Sequence, residues 1–341
     1  MKRNKTVLVT GGSGVVGSAL IPELIQSGFT VLALVRNRTI PNDRVISLGG
    51  DIEAPEFGLD LAAIKAAHGP IDCLIHSAAI TNFGHPEESI RAANVVGTEN
   101  AVAVAEKLGA RFIYVSTAYT YDLKLPPYLR EYSNYCESKR AAEAHVKANA
   151  SDWTIVRPSI VVGDTETGYI SQFQGLHIIV GAILQRLAPI IPASEQALVD
   201  LVPQDVVARG ICALAGRNGR HREYWITRGQ GAARVSEMHR LMGDFASECG
   251  YTSPMPKIVD PEIMERLFIP VFLPSMPPGI RKRLNSLVDH ACYFNMSDPF
   301  PSNYADLCDE FGLPPMPDND SVVRNNMQYW AEQTGYRERA A

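Results

Sequence analysis

Tyr135 and Lys139 stand four residues apart in the run Tyr135-Cys136-Glu137-Ser138-Lys139. On a helix that spacing puts both side chains on one face. A free tyrosine titrates near pH ~10, and a positive charge beside it favours the phenolate. Tyr135 is therefore expected to carry a lowered pKa and to exchange a proton with a carbonyl or alcohol oxygen near neutral pH. Ser116 and Thr117 close an apolar run upstream, where a strand should end. A hydroxyl at that point can orient a substrate oxygen by hydrogen bonding. A tyrosine and lysine at this spacing are common by chance, so their meaning depends on the residues before them.

Upstream lies Thr10-Gly11-Gly12-Ser13-Gly14-Val15-Val16-Gly17, set between a short apolar strand and a helical stretch. In the dinucleotide-binding turn, Gly11 permits the tight bend, Gly14 lets the backbone approach a pyrophosphate, and Gly17 lets the helix pack on the strand. The helix start at Ser13, Gly14, Val15 and Val16 offers N–H groups and a positive dipole end to the phosphates. A nicotinamide cation would then add its charge to that of Lys139 beside Tyr135. In the NAD form of this turn an acid at the end of the second strand bonds the ribose 2′-hydroxyl. Here Val35 is followed by Arg36, Asn37 and Arg38. An arginine pairs with a 2′-phosphate that a carboxylate would repel. The sequence thus predicts NADP(H) over NAD(H). Asp51 and Ile52, after the third strand, are candidates for the adenine edge.

The elements that must position these residues follow one rhythm. Strands are expected at Thr6–Thr10, Thr30–Val35, Val45–Leu48, Ile71–Ile75, Phe112–Ser116 and Trp153–Val156, with helices at 14–27, 87–108 and 134–149. That alternation predicts an α/β fold, a Rossmann-type doubly wound parallel sheet with helices on both faces. Ligands should then bind at the carboxyl ends of the strands. After residue 160 the rhythm changes: helices are expected at 170–188, 203–215 and 235–249, and a strand at Glu223–Thr227. We read 1–160 as the dinucleotide-binding domain carrying the Tyr/Lys pair. Residues 161–341 read as a smaller, mostly helical substrate-binding region that shares residues with it. The segment 252–280 is rich in proline and apolar side chains, among them Met255, Phe268, Phe272 and Met276.

Composition narrows the function. The chain has 341 residues, 46% of them hydrophobic, and a formal charge of -5 without a basic run. Nucleic-acid binding usually needs a clustered basic face. The six cysteines form no CxxC pair and no zinc spacing, so no metal site is expected. Scattered cysteines, no signal peptide and no transmembrane run predict a cytoplasmic protein. His76 and His85 flank the expected site and read as hydrogen-bonded structural residues; Asp200 and Asp205 read as strand-end and helix-end caps.

The ordered set TGGSGVVG at 10–17, HSAA at 76–79, NVVGT at 94–98, YVSTAY at 114–119, YCESK at 135–139 and RPSIVVG at 157–163 resembles the extended short-chain dehydrogenase/reductase superfamily. The resemblance implies that Thr117, Tyr135 and Lys139 form a catalytic trio. It also implies that Ala78 and Ala79 border the cofactor, that Asn94 supports the site, and that Pro158 and Ser159 lie against the nicotinamide. A narrower resemblance rests on Ala78 to Phe83, Asn94 to Thr98 and Val199 to Val207. It points to the fatty-acyl and thioester-reductase branch, which reduces acyl thioesters with NADPH. Together these predict an NADPH-dependent oxidoreductase acting on a carbonyl substrate, with an acyl-CoA or carrier-protein thioester as the sharper form. The resemblance also implies a homodimer built on 87–108 and 134–149. Two rivals share the scaffold: an NAD-retaining sugar-nucleotide epimerase or dehydratase, and a non-catalytic NADP sensor.

Overall fold

The computed structural model of the chain describes residues 3–37, 40–81, 85–121, 130–187, 190–217, 219, 221–251, 254–263, 266, 269–271 and 295–336. Arg38, Asn82, Phe83, Phe268, Phe272 and Met276, on which parts of the sequence reading rest, lie outside the described residues.

Seven strands form one parallel sheet: β1 Thr6–Thr10, β2 Thr30–Val35, β3 Val45–Gly49, β4 Cys73–His76, β5 Arg111–Val115, β6 Trp153–Pro158 and β7 Glu223–Ile226. Their order is β7-β6-β5-β4-β1-β2-β3. All five residues of β1 and all four of β4 are buried. That is why these strands read as unbroken apolar runs without alternation: both faces of a parallel sheet are covered. The order reverses between β1 and β4, whose neighbours run in register from Val7 beside Cys73 to Thr10 beside His76. A crevice must open there, outside the carboxyl ends of the two strands.

The principal helices are α1 Val15–Gln26, α2 Leu61–His68, α3 Gly97–Leu108, α4 Arg130–Asn149, α5 Leu176–Leu184, α6 Gln204–Gly216, α7 Val235–Glu248, α8 Tyr304–Phe311 and α9 Asn319–Gln333. One core layer packs Leu20, Ile21 and Leu24 of α1 with Val206, Val207 and Ile211 of α6 against Val7, Val9 and Val31. The opposite layer packs Ile64 of α2, Val102 and Ala105 of α3 and Val146 of α4 against Leu8, Leu74 and Phe112. A third cluster lies wholly beyond residue 160, with Val180, Phe245, Met327 and Trp330. The change of rhythm at 160 is therefore not a break in the core: β7 forms an edge of the main sheet, and α6 completes the layer on α1.

Three expectations are revised. The helix expected over 170–188 spans only Leu176–Leu184, because Gly175 before it has φ 47, a left-handed backbone that a continuing helix excludes. The helix expected over 87–108 is interrupted: Glu87–Arg91 passes into a π-helical turn, Ala92–Val96, before α3. The strand expected over Ile71–Ile75 sits later, at Cys73–His76, where its partners on β1 and β5 lie.

Candidate active site

The glycine turn sits at the crevice. Gly11 has φ 73, and a Cβ there would stand 2.6 Å from the Ala78 nitrogen at the end of β4. A Cβ on Gly17 would overlap the Gly11 carbonyl, so α1 reaches its strand only because that residue is glycine. Gly14 differs: a Cβ there meets only the Gly11 oxygen, at 3.3 Å. Ser13 and Gly14 are exposed, and no side chain caps the helix start at Gly14. An uncapped helix end whose backbone faces a crevice is a place where phosphate oxygens can take the free N–H groups. The residues present therefore fit a dinucleotide. Ala78 and Ala79 line the other wall half-buried, and the Thr10 hydroxyl accepts from the Ala78 nitrogen at 3.3 Å.

At the ribose end, Gly50 donates to the Val35 carbonyl at 3.0 Å, which brings Asp51 beside the end of β2. Arg36 Nη1 lies 3.9 Å from Asp51 Oδ2; the arginine side chain is exposed and the aspartate half-buried. Ile52 turns the other way: its carbonyl accepts from Asn100 at 2.9 Å, and its side chain packs on Gly97.

Thr117 follows β5 and caps the short turn Ala118–Thr120, its hydroxyl accepting from the Tyr119 nitrogen at 3.3 Å. Tyr135 on α4 shares a side-chain hydrogen bond with Thr117. One turn further along α4, Lys139 Nζ donates to the Val115 carbonyl at 2.9 Å and lies 4.4 Å from the Tyr114 ring centroid. The expected trio is therefore brought together, at the carboxyl edge of the sheet. All three residues are buried, which alters their electrostatics. Burial pushes the Lys139 ammonium down to about 7, opposed by the negative charge of Glu143. The expectation of a lowered Tyr135 pKa is corrected. Burial raises this phenol, and the Thr117 hydrogen bond only partly opposes it. The reason is that a buried phenolate is desolvated, which disfavours the charged form.

Asn94 holds the site from the π-helical turn. Its carbonyl accepts from the Ile80 nitrogen at 2.8 Å, and its amide donates to the Ile80 carbonyl at 3.0 Å and to Ser138 Oγ at 3.1 Å. Ser138 in turn donates to the Tyr135 carbonyl at 2.7 Å. The extra residue of a π turn re-aims one side chain, here toward both the crevice wall and α4. Pro158 ends β6, but the Ser159 hydroxyl is committed to Asp200 at 2.6 Å. Asp200, fully buried, also accepts from the Arg228 and Gly229 nitrogens, just past the end of β7. Asp205, in the first turn of α6, accepts from Thr165 and pairs with Arg209. His76 is structural, bonded to Thr10 at 2.8 Å and held neutral by burial and by Lys139, its pKa pushed down to about 3.

Sequence reading missed the charges beneath the trio. Glu143 and Arg157 are buried and paired, Nε to Oε1 at 2.8 Å and Nη2 to Oε2 at 2.5 Å. A signal existed: Tyr135, Lys139 and Glu143 recur at helical spacing, so Glu143 shares their face. An apolar wall was missed as well. Met296 and Phe300 pack with Ala118, Tyr119 and Tyr135, and Phe300 meets Tyr119 edge-on at 5.0 Å.

Known proteins resemble this chain. The model of the NAD-binding male sterility protein family matches residues 39–211, half of the chain. A ketoreductase of Stigmatella aurantiaca, named for 4-hydroxy-2-methyl-3-oxo-4-farnesyl-3,4-dihydroquinoline-1-oxide, is 31% identical over 182 residues, 48% of this chain and 52% of that protein. A linear gramicidin synthase polypeptide of Brevibacillus parabrevis is 26% identical over 250 residues, 62% of this chain but 5% of its own length. The aligned stretches thus cover about half of the first relative and a small part of the second. The crystal structure of the terminal R domain from the myxalamid PKS-NRPS biosynthetic pathway has the same fold, with a TM-score of 0.73 at 23% identity over 98% of this chain and 92% of that one. The chain belongs to the male sterility protein family.

Proposed function

From that membership we propose that the protein is an NADPH-dependent reductase of a carbonyl, in its sharper form an acyl thioester reduced to an aldehyde with release of the thiol. The observation that carries the reading is the Thr117–Tyr135 hydrogen bond with Lys139 one helical turn away, at the edge of the crevice that the glycine turn opens. The N–H groups at Ser13 to Val16 would hold the pyrophosphate, Ala78, Ala79 and Pro158 would flank the rings, and Arg36 would pair with a 2′-phosphate. Asp51, beside Arg36, would meet the adenine or keep that arginine aligned. A dinucleotide held there would supply the hydride that a carbonyl carbon needs. Thr117 orients the substrate oxygen, and Tyr135 gives it a proton. A raised phenol pKa suits this direction, because the group must be protonated before it donates. Lys139 stabilises the phenolate left behind, provided that it is charged.

The thioester form is supported by the resemblance to the thioester-reductase branch and by the apolar wall of Met296 and Phe300 against Tyr135, which an acyl chain would cover. Delivery by coenzyme A or a carrier protein follows from the same reading, as does a cytoplasmic setting. Among the described residues no helix is long and apolar enough to cross a membrane. Two measurements test the proposal. Titration with NADPH and NADH should give at least tenfold tighter NADPH binding, lost in Arg36→Asp; equal binding would contradict the 2′-phosphate assignment. Incubation with NADPH and a range of acyl thioesters should release one thiol per NADPH oxidised on reduction to the aldehyde; ketone reduction without thiol release would restrict the activity to simple carbonyls.

A further inference from the structure

We propose that Glu143 is a positioning residue: its carboxylate fastens the turn that carries Thr117 to the helix that carries Tyr135 and Lys139. The inference rests on the reading of those three as the catalytic group. Glu143 is 6% exposed and Arg157 3%. A buried carboxylate is costly unless paired, and the two-pronged bond to Arg157 provides the pair. Neutralising the charge would need nothing more. Yet Oε1 of Glu143 also accepts from Ser116 Oγ at 2.6 Å and from Thr120 Oγ1 at 3.2 Å. Those hydroxyls flank Thr117, whose carbonyl accepts from the Thr120 nitrogen at 3.2 Å and, at 3.0 Å, shares the single Thr120 hydroxyl proton with Glu143. Glu143 itself stands one helical turn beyond Lys139 and two beyond Tyr135. One carboxylate therefore fixes the spacing of all three side chains.

The clamp is anchored outward. Arg157 Nη1 lies 2.6 Å from Glu223 on β7, Glu223 pairs with Lys147 at 2.7 Å, and the guanidinium lies over the Trp225 ring at 4.5 Å. Trp225 meets Tyr121 edge-on at 5.9 Å. The edge strand and the segment after Thr120 thus share the same anchor.

The carboxylate has a second effect, through charge. Lys139 faces the Tyr114 ring and the Val115 carbonyl on β5, His76 on β4, and Glu143 on α4. Arg157 on β6 partly offsets Glu143. Of these groups Glu143 carries the negative charge, and it sustains the ammonium against burial.

The test uses the purified full chain. Glu143→Gln keeps an oxygen for Ser116 and Thr120 but removes the charge; Thr120→Val removes one hydroxyl and keeps the Arg157 pair; Lys147→Ala breaks only the outer pair. The Lys139 ε-methylene is titrated by NMR without substrate, and the kcat–pH profile is measured with a reduced carbonyl. Lys139 should titrate near 7 in the native chain, and about one unit lower in Glu143→Gln. The alkaline limb of kcat should move with it, and neither should move in Lys147→Ala. Thr120→Val should lower kcat about tenfold, with KM within about threefold and the profile unmoved. Should Glu143→Gln fail to fold, Ser116→Ala and Thr120→Val read the clamp through the same split. An unmoved Lys139 titration in folded Glu143→Gln overturns the charge effect, and unchanged kcat in both hydroxyl variants overturns the clamp. Neither outcome bears on the catalytic assignment, which fails instead if Tyr135→Phe stays active.

Discussion

Lys139 is the residue whose chemistry and stability conflict most openly. Its ammonium, pushed down to about 7 by burial, titrates near ~10.4 in an unfolded chain. Between those values the unfolded chain holds a proton that the folded one lacks. The site therefore opposes folding fully below about 7, and the cost fades as pH rises toward the unfolded value. Lys139→Met should raise Tm by a few degrees at pH 6, with the gain shrinking above pH 10, and should remove activity. Thermal melts at the two pH values check this; a lower Tm at pH 6 would mean that the Val115 and Tyr114 contacts outweigh desolvation. At this scale the sequence was informative about which residues meet. Spacing alone put Tyr135 and Lys139 on one face, and the end of an apolar run marked Thr117. It was uninformative about environment: nothing in YCESK says that both groups are buried deeply enough to reverse the expected shift of the phenol. Glu143 was legible by its spacing from Lys139, but Arg157, on a strand and across a loop, becomes its partner only through the fold.

At the scale of elements, the turn and the first helix separate structure from binding. Gly17→Ala forces a side chain into the Gly11 carbonyl and should destabilise the fold by several degrees in Tm. Gly14→Ala meets one atom at 3.3 Å; it should melt within a few degrees of the native protein yet bind dinucleotide at least tenfold more weakly, since the methyl group occupies the phosphate approach. Calorimetry with NADPH distinguishes the two variants, and equal losses of binding and Tm in Gly14→Ala would contradict this division. The π-helical turn is a second such element. Asn94→Ala leaves the half-buried Ile80 N–H and the Ser138 hydroxyl without that partner, and should cost about 2–4 kcal/mol in urea unfolding. Periodicity could not reveal this turn, because apolar residues continue through Ala92, Ala93, Val95 and Val96. Nor could it reveal strands as short as Ile160–Val162 and Leu201–Pro203, which pair with each other.

At the scale of the whole molecule, the sheet depends on residues beyond 160. Tyr224 and Ile226 of the edge strand, Val206 to Ala215 of α6, and Tyr304 and Leu307 of α8 share one core with α1 and β1. A fragment ending at residue 160 would expose that layer, and should be unfolded by circular dichroism or insoluble; a folded, dinucleotide-binding fragment would contradict this dependence. The same interleaving lets the later region reach Tyr135 with Met296 and Phe300. The doubly wound class was legible because strands and helices alternate regularly up to β6. The later region was not, because its elements are held by contacts far apart in sequence, such as Gly163 with Asn326 at 2.7 Å. Above all of these stands the proposed role of Tyr135 as proton donor in an NADPH-dependent reduction. NADPH oxidation should be followed with a panel of acyl thioesters and ketones, comparing the native chain with Tyr135→Phe at equal cofactor occupancy. The native chain should turn over at least one carbonyl class, and the substitution should lower kcat by about a hundredfold or more. Native rates in Tyr135→Phe would contradict that role.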